Sequence, residues 1–459
     1  MRKLLGCVCA VAAAWLGMAV LVKEGGAQAR QDWRSTQAME NHITYVQGSS
    51  KKVCQLTGET DHEFHKPTVS QTETRFGLKA ADHGYSFEHH GKLFFLFGDT
   101  VPTRTFHGRR NGPNAPTRNP DFNDAIAFTT DTTIENCVKL DFIRNSIGAF
   151  KNPVVLNAQG QPAVKLRTNE SPISGISEGG RMYVIFGTDN PTDTAKRPGP
   201  LGYPTRTVVA VSEDDANTFH YLYDFSKGPC FGCAGGKFIN IAIARASDGY
   251  LYFWGTQGGE LYRKSAPYLA RIGAEDFGRR DGWRYLEYFA GLDQQKMPRF
   301  SKSEADAAPL FEDYADDPSK PQNCMGDLGV EWNRFVHRWV MLYNCLNNTG
   351  AHPRGIYMRL AENPWSPWSV PQTIFNLIRD GGYCHFIHRA VTPERPACDD
   401  LSAPNRLAVP GGDYGPCFIS RFTTGDEALG TSTFYYTLDT WNPYGQVIMK
   451  STIQDESKH

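Results

Sequence analysis

The chain has 459 residues, of which 40% are apolar and 12% aromatic, and its formal net charge is −1. This length and apolar content allow a large buried core, and the near-neutral charge gives no electrostatic basis for binding nucleic acid or a membrane surface. The 44 glycines and 28 prolines, together with the aromatic content, favour β-strands joined by turns. We therefore expect an all-β protein.

The N-terminus has the features of an export signal. Arg2 and Lys3 precede an apolar run over residues 4–22, and residues 27–29 form a small-residue cleavage pattern. We predict a signal peptide over residues 1–29 and a secreted, periplasmic or cell-envelope location. The apolar run is also just long enough to cross a bilayer, so an uncleaved anchor is the alternative.

The cysteine content agrees with export, because disulfides persist outside the cytosol. Of the 11 cysteines, Cys7 and Cys9 lie in the signal, and an odd count therefore remains in the mature chain. One thiol should be unpaired, and the spacing does not reveal the pairing. Cys230 and Cys233 form a Cys-x-x-Cys pair with no second pair at zinc spacing, so we expect a disulfide or two inert thiols there and no metal or cofactor. The mature cysteines are Cys54, Cys137, Cys230, Cys233, Cys324, Cys345, Cys384, Cys398 and Cys417.

A hairpin pattern recurs five times along the mature chain. Each copy has a strand-like segment, a short turn and a strand rich in apolar residues. The second strands of the five copies occupy residues 92–99, 181–188, 250–256, 338–343 and 433–438.

Further strand-like segments follow the hairpins, for example at residues 125–130, 207–212 and 355–360. Four strands per unit and five units predict a five-bladed β-propeller, as a single domain over residues 70–452. Residues 30–69 would form an N-terminal extension and residues 453–459 a C-terminal tail. An irregular β-sandwich is the alternative fold.

The first hairpin differs from the others because it carries a carboxylate at each end. It turns at His90 and Gly91, so Asp82 is expected to face Asp99 with Cβ atoms about 4.5–5.5 Å apart. Two carboxylates so close should have pKa values driven apart, which provides an acid and a base or nucleophile. We predict that Asp82 and Asp99 are the catalytic pair of a glycoside hydrolase, with a spacing that leans towards retention. Alternatively, each Asp only binds the backbone of its own turn.

Other polar and aromatic residues should lie at the same rim of the propeller, because of their positions in the repeat. They are expected to bind the substrate, since aromatic rings stack on sugar C–H surfaces and amides bind hydroxyls. Each of them is also a common cap or turn residue. His89 and His90 flank the hairpin turn and should lie at the opposite rim, away from the chemistry. The predicted substrate-binding residues are Asp124, Asp327, Glu331, Asp413, Trp441, Asn442 and Tyr444.

Several of these segments resemble a known family. They are residues 82–87, 91–99, 124–127, 365–368, 435–437 and 440–444, and they are similar to the domain of unknown function 4185. Part of that family is classified as glycoside hydrolase family 183, the endo-D-arabinanases. The resemblance covers about residues 70–452, and it departs from the family pattern at residues 80–84. It implies a five-bladed propeller, a catalytic pair at Asp82 and Asp99, and D-arabinan as substrate.

Two functions follow from these observations. The first is a secreted glycoside hydrolase that cleaves an arabinan-like furanoside polysaccharide, most simply an endo-acting enzyme on D-arabinan. The second is a non-catalytic, lectin-like propeller in which the same rim only recognises carbohydrate. In both cases the partner is a polysaccharide, and we expect a monomer with no nucleic-acid partner and no membrane partner once the signal is cleaved.

Overall fold

The described chain begins with four short strands and one helical turn before the first hairpin. The computed structural model describes residues 42–103, 105–106, 109–110, 123–166, 169–189, 203–228, 236–258, 264–312, 323–345, 355–365 and 367–458. The predicted signal peptide and the pair Cys230 and Cys233 lie outside these ranges. Within them, no helix is long and apolar enough to span a membrane. The first elements are β1 (Ile43–Tyr45), β2 (Lys51–Gln55), β3 (Thr60–Asp61), β4 (Lys66–Pro67) and α1 (Thr72–Phe76).

Blades 1 and 2 are antiparallel sheets built outward from the first two hairpins. Blade 1 has the order β10-β9-β6-β5, and blade 2 has the order β11-β15-β14-β13-β12 with a parallel outer pair. The strands of blade 1, with the small ribbon β7 and β8, are β5 (Leu78–His89), β6 (Lys92–Pro102), β7 (Thr105–Phe106), β8 (Arg109–Arg110), β9 (Ala125–Thr129) and β10 (Asp141–Phe142). Those of blade 2 are β11 (Val155–Leu156), β12 (Pro172–Glu178), β13 (Arg181–Thr188), β14 (Arg206–Ser212) and β15 (Phe219–Lys227).

Blades 3 and 4 are antiparallel meanders with strands in sequence order. Blade 3 contains β16 (Asn240–Arg245), β17 (Tyr250–Thr256), β18 (Tyr268–Gly273), α2 (Ala274–Phe277), β19 (Glu287–Leu292) and β20 (Pro298–Ser301). Blade 4 contains β21 (Met325–Asn333), β22 (Arg338–Cys345), β23 (Gly355–Ala361) and β24 (Gln372–Asn376).

Blade 5 joins the two ends of the described chain. Its own strands are β25 (Gly412–Phe418), β26 (Thr424–Asp426), β27 (Thr431–Trp441) and β28 (Gly445–Asp455). Both β1 and β2 pair with β28, which would otherwise present an open edge. The propeller sheet therefore starts before the predicted boundary at residue 70 and extends past residue 452.

The inner strands close into a ring around a central axis. Each of β5, β12, β16 and β21 contacts the next, and β25 contacts β5 again. In the described part of the chain this gives five blades, so the prediction of an all-β five-bladed propeller is confirmed. The second strand of every predicted hairpin lies directly outside an inner strand.

The core consists of apolar layers between neighbouring blades, which explains the apolar runs in the sequence. Side chains of a strand alternate between its two faces, and in a propeller both faces of each sheet are covered. In β6, Leu93, Phe95 and Phe97 pack against blade 5, whereas Phe94 and Leu96 pack against blade 2. All five side chains are buried.

Three disulfides join parts of the described chain. They link Cys54 to Cys137, Cys324 to Cys345, and Cys384 to Cys398. Within this part of the chain, Cys417 is a buried free thiol.

Candidate active site

The first hairpin keeps the predicted register near its turn and loses it near the candidate site. His89 pairs with Lys92 as expected, but Asp82 pairs with Gly98 and not with Asp99. The cause is a bulge at His83 and Gly84, which have φ values of 71° and 67°. The predicted direct pairing of Asp82 with Asp99 is therefore wrong by one residue.

The bulge forms because His83 uses its backbone N–H outside the ladder. That N–H donates to Asp439 Oδ2 at 2.9 Å, on β27 of blade 5. Gly84 then passes so close to Gln446 that an added Cβ would lie 2.3 Å from Nε2 of Gln446. Positive φ and close approach together require glycine at position 84.

Asp82 lies on the innermost strand and is held by a tyrosine from the neighbouring blade. Its Oδ2 accepts a hydrogen bond from Tyr414 Oη at 3.0 Å, and its Oδ1 lies 3.6 Å from His83 Nε2. The side chain is 9% exposed, and Oδ1 is buried without a hydrogen-bond partner.

Asp99 leaves the strand as it reaches the rim. It has a φ of 42°, and its Oδ1 accepts the backbone N–H of Asn169 at 2.8 Å. Its carbonyl oxygen accepts a hydrogen bond from Tyr444 Oη at 3.0 Å. Asp99 is half-buried, so it is more accessible than Asp82.

Asp124 is a fully buried acid next to both predicted catalytic residues. Burial raises its pKa well above the ordinary value, and the charges of Asp99, Asp82 and Glu170 raise it further. These electrostatic interactions place Asp82 and Asp99 around one shared neighbour. Asp124 is thus a fully buried acid of the site and not a surface group.

Asp439 is a second buried acid, which the sequence analysis did not assign to the site. Its Oδ1 accepts a hydrogen bond from Gln446 Nε2 at 2.7 Å, in addition to the bond from His83. Burial and then the charge of Asp82 raise its pKa well above the usual range. Asp439 stands at the end of the second strand in the fifth hairpin, as Asp99 does in the first, and that correspondence was the available signal.

The blade 4 acid Asp327 extends the cluster around the axis. It is buried, and neither carboxylate oxygen has a hydrogen-bond partner. Its charge contributes to the raised pKa values of Asp439 and of the Cys417 thiol, so it lies beside blade 5. Asp413 is also buried, but its charge acts on Tyr436, a residue of the core layer between blades 4 and 5.

Glu331 does not join the other acids, contrary to the prediction. It lies four residues further along β21 than Asp327, which is about 13 Å at the usual strand rise. It contacts Thr423 Oγ1 at 3.3 Å, and burial raises its pKa to about 7. The prediction failed because the inner strand runs away from the rim.

The aromatic segment after β27 divides into different roles. Asn442 is buried and its amide holds a loop: Oδ1 accepts the Ala403 N–H at 2.6 Å, and Nδ2 donates to the carbonyl oxygens of Arg406 and Val409. These bonds occupy both ends of the amide, whereas the sequence had predicted that Asn442 binds a sugar hydroxyl. Trp441 is half-buried with the Arg406 guanidinium 4.1 Å from its ring centre.

Tyr444 connects this segment to the acids. Besides its hydrogen bond to Asp99, burial and then the charge of Asp82 raise the pKa of its hydroxyl. It stays protonated and can only donate to the Asp99 carbonyl. Of the three residues predicted in this segment, Tyr444 is the one that touches a predicted catalytic residue.

These residues form a cluster of carboxyl groups at one rim of the axis, from three blades. Asp99 is its half-buried member and the Asp82 side chain is 9% exposed, while Asp124 and Asp439 are fully buried and favour the protonated form. An arrangement of this kind can donate and accept protons at neutral pH. Among the described residues, the groups with metal-ligand spacing lie elsewhere: one at His89, His90 and Asp215, and one at Asp399 beside a disulfide.

Replacing Asp124 by asparagine should stabilise the protein at neutral pH but not at acid pH. An unfolded Asp ionises near pH 3.9, whereas burial raises the pKa of Asp124 in the folded state. As the pH rises above about 4, the unfolded chain releases a proton that the folded protein keeps, and the free energy of unfolding falls. Asparagine has no such proton, so Asp124→Asn should raise Tm by about 2–4 °C or more at pH 7.

Thermal unfolding at pH 4 and pH 7 measures this difference. The matched control is Asp281→Asn, at an exposed carboxylate that accepts from Arg279 Nε at 3.1 Å. It should gain no stability between the two pH values. An equal effect of Asp124→Asn at both pH values would show that Asp124 is ionised in the folded protein.

The fold and the site together define a β-propeller with a cluster of carboxyl groups at one end of its axis. The chain belongs to the family described as Domain of unknown function (DUF4185), whose model matches residues 68–450. The family resemblance seen in the sequence is confirmed to that extent. No curated protein matches the sequence.

Several solved structures of similar fold are described as glycoside hydrolases or arabinofuranosidases. A thermostable family-43 glycoside hydrolase is 12% identical with a TM-score of 0.40, over 83% of this chain and 92% of that chain. An α-L-arabinofuranosidase from Lactobacillus brevis is 10% identical with a TM-score of 0.42, over 81% and 91%. The α-L-arabinofuranosidase from Podospora anserina, in complex with cellotriose, is 9% identical with a TM-score of 0.41, over 88% and 98%. Similarities at this level carry no argument about the site.

Proposed function

We propose that this protein is a glycoside hydrolase that cleaves an arabinan-like furanoside polysaccharide, in the first place D-arabinan. One observation carries the proposal. In addition to burial, the charges of Asp82 and Asp99 both raise the pKa of the buried acid Asp124 and the pKa of the Tyr444 hydroxyl, so the two carboxylates share these neighbours. Glycoside hydrolysis needs two carboxyl groups on either side of the scissile bond. The substrate class rests on the resemblance of residues 82–87, 91–99, 435–437 and 440–444 to the DUF4185 family, part of which is classified as endo-D-arabinanases.

The environments of the two carboxylates suggest their roles. Asp82 lies on the innermost strand and is held in place by the hydrogen bond from Tyr414, so we assign Asp82 as the nucleophile or base. Asp99 stands at the more accessible position, so we assign it as the general acid. In this scheme Asp99 gives its proton to the glycosidic oxygen while the bond to the anomeric carbon breaks. Asp82 attacks that carbon, or takes a proton from the water that does so.

Asp124 and Asp439 would then tune the two carboxylates without touching the sugar. Both are buried, and both favour the protonated form. A neutral neighbour limits the negative charge around Asp82. Asp439 also holds the bulge that sets where Asp82 points, through its bond to the His83 N–H.

We also propose that the enzyme acts outside the cytosol. The three disulfides of the described chain support an oxidising compartment. The basic start, apolar run and cleavage pattern of residues 1–29 support export by a signal peptide.

The test is incubation of the protein, produced with its disulfides intact, with D-arabinan, L-arabinan and unrelated plant or bacterial glycans. Released oligosaccharides are separated by size. We expect fragments of intermediate length from D-arabinan and none from L-arabinan. Release from a different glycan would support the hydrolase activity and identify a different substrate.

A non-catalytic, carbohydrate-binding propeller is the second candidate. It is favoured by the small exposure of the Asp82 side chain, which is 9%. Binding of a glycan without release from any glycan tested would establish this function and exclude the hydrolase.

A further inference from the structure

Two histidines and an aspartate converge at the rim opposite to the acids. His89 and His90 form the end of β5 at the hairpin turn of blade 1, and Asp215 lies in the connection between β14 and β15 of blade 2. His89 is seven residues along β5 from Asp82, or about 23 Å. We propose that these three side chains bind a Zn²⁺ ion that links blade 1 to blade 2.

The distances between the three ligand atoms fit a zinc ion. His89 Nε2 lies 3.3 Å from Asp215 Oδ1, and His90 Nδ1 lies 3.1 Å from the same oxygen. All three atoms lie within 4.8 Å of one another. Zinc binds imidazole nitrogen and carboxylate oxygen at about 2.0–2.2 Å, so ligand atoms of a tetrahedral site are about 3.3–3.5 Å apart. The ion would sit between these three atoms once the side chains adjust to its bond lengths.

Neighbouring groups orient two of the three ligands. Ser177 Oγ lies 2.8 Å from His89 Nδ1 and leaves Nε2 of that ring to face Asp215. Lys92 Nζ donates to Asp215 Oδ2 at 3.2 Å and leaves Oδ1 to face the histidines. Hydrogen bonds of this kind fix the ring tautomer and the carboxylate orientation at metal sites.

The two histidine rings lie against each other on the Asp215 carboxylate. Their centroids are 3.8 Å apart. Lys92 Nζ faces the same carboxylate, 3.2 Å from Oδ2. Zinc binds the neutral imidazole, so it would replace the ring protons that otherwise point at Asp215 Oδ1.

Solvent can reach the site from one side. The His90 side chain is 56% exposed and that of Asp215 is 36% exposed, whereas His89 is buried beneath them. A Zn²⁺ ion can therefore enter without unfolding, and water can complete its coordination as the fourth ligand. The three ligands come from two blades, so the ion would hold the two blades together.

The test is a titration of the intact, EDTA-treated protein with Zn²⁺ in competition with a chromophoric chelator. We expect one tight equivalent in the unaltered protein. His90→Gln and Asp215→Asn should each weaken binding by at least about 10-fold, because ligand loss costs more than loss of an outer hydrogen bond. Affinity should also fall towards pH 5, where histidine protonates.

The repeat offers a matched control. His337 occupies the turn of the fourth hairpin with a φ of 50°, close to the 45° of His90, and its Nε2 lies 2.7 Å from Glu427 Oε1. It has a carboxylate partner but no second histidine beside it in the described chain. His337→Gln should bind Zn²⁺ as the unaltered protein does.

Thermal unfolding gives a second readout that does not depend on glycan cleavage. Zn²⁺ should raise Tm of the unaltered protein and of His337→Gln, and it should not raise Tm of His90→Gln. If the unaltered protein binds no zinc, or if His90→Gln binds it equally well, the three residues are only an ion-pair cluster. His90 is exposed at a turn, so its replacement leaves the fold intact.

Discussion

Asp82→Asn is expected to lower the rate of glycan cleavage by about 10³-fold or more without unfolding the protein. Asparagine has the same shape and can still accept the hydrogen bond from Tyr414, but it can act neither as a nucleophile nor as a base. Circular dichroism and Tm establish the fold, and initial rates on D-arabinan measure the effect. A variant with a near-full rate would remove Asp82 from the mechanism.

The control for Asp82→Asn is Glu331→Gln. Glu331 is also a buried acid on an inner strand, but it lies at the level of Thr423, away from the cluster. Its replacement should change the rate by less than about twofold, since it does not contact the reacting groups. A large loss of activity in Glu331→Gln would show that the rate responds to any buried acid on the axis.

The two proposed roles can be separated with a substrate that has a good leaving group. Asp99→Asn should also be strongly impaired on the polysaccharide, because the departing oxygen is not protonated. An activated aryl arabinofuranoside needs no such proton, so it should restore much of the rate in Asp99→Asn. It should not restore the rate in Asp82→Asn, and the reverse pattern would exchange the two roles.

The architecture was predictable because a propeller covers both faces of every strand. Runs such as residues 93–97 are apolar throughout, and their fivefold recurrence with a turn in front of each revealed the blades. The closure of blade 5 could not be predicted, because β1 is three residues long and β2 begins with two lysines. Their place is determined by the free edge of β28, which lies about 400 residues later.

The site was predictable in part, for a related reason. Asp82 and Asp99 stood out because the second and third hairpins have Thr188 and Thr256 where the first has Asp99. Their register could not be predicted, since the bulge at His83 depends on a carboxylate 356 residues away. Counting along a hairpin assumes a regular ladder, and a contact from another blade breaks that assumption.

The disulfide between Cys54 and Cys137 should contribute about 4–5 kcal/mol to the free energy of unfolding. It spans 83 residues, and cross-linking a longer loop removes more entropy from the unfolded chain. It also joins β2, which completes blade 5, to the segment that follows β9 in blade 1. Replacing both cysteines by alanine should therefore lower the midpoint of guanidinium unfolding markedly, with a smaller effect on the slope.

The control is the double replacement Cys384→Ala and Cys398→Ala, which opens a separation of 14 residues. Loop entropy alone makes its loss smaller by about 1.5 kcal/mol. The difference should be larger than that, because Cys54 and Cys137 belong to the apolar layer between blades 5 and 1. That junction is also where His83 binds Asp439, so loosening it should reduce the cleavage rate as well. Equal stability losses for the two pairs would mean that the seam is held by β1 and β2 pairing with β28, and not by the disulfide.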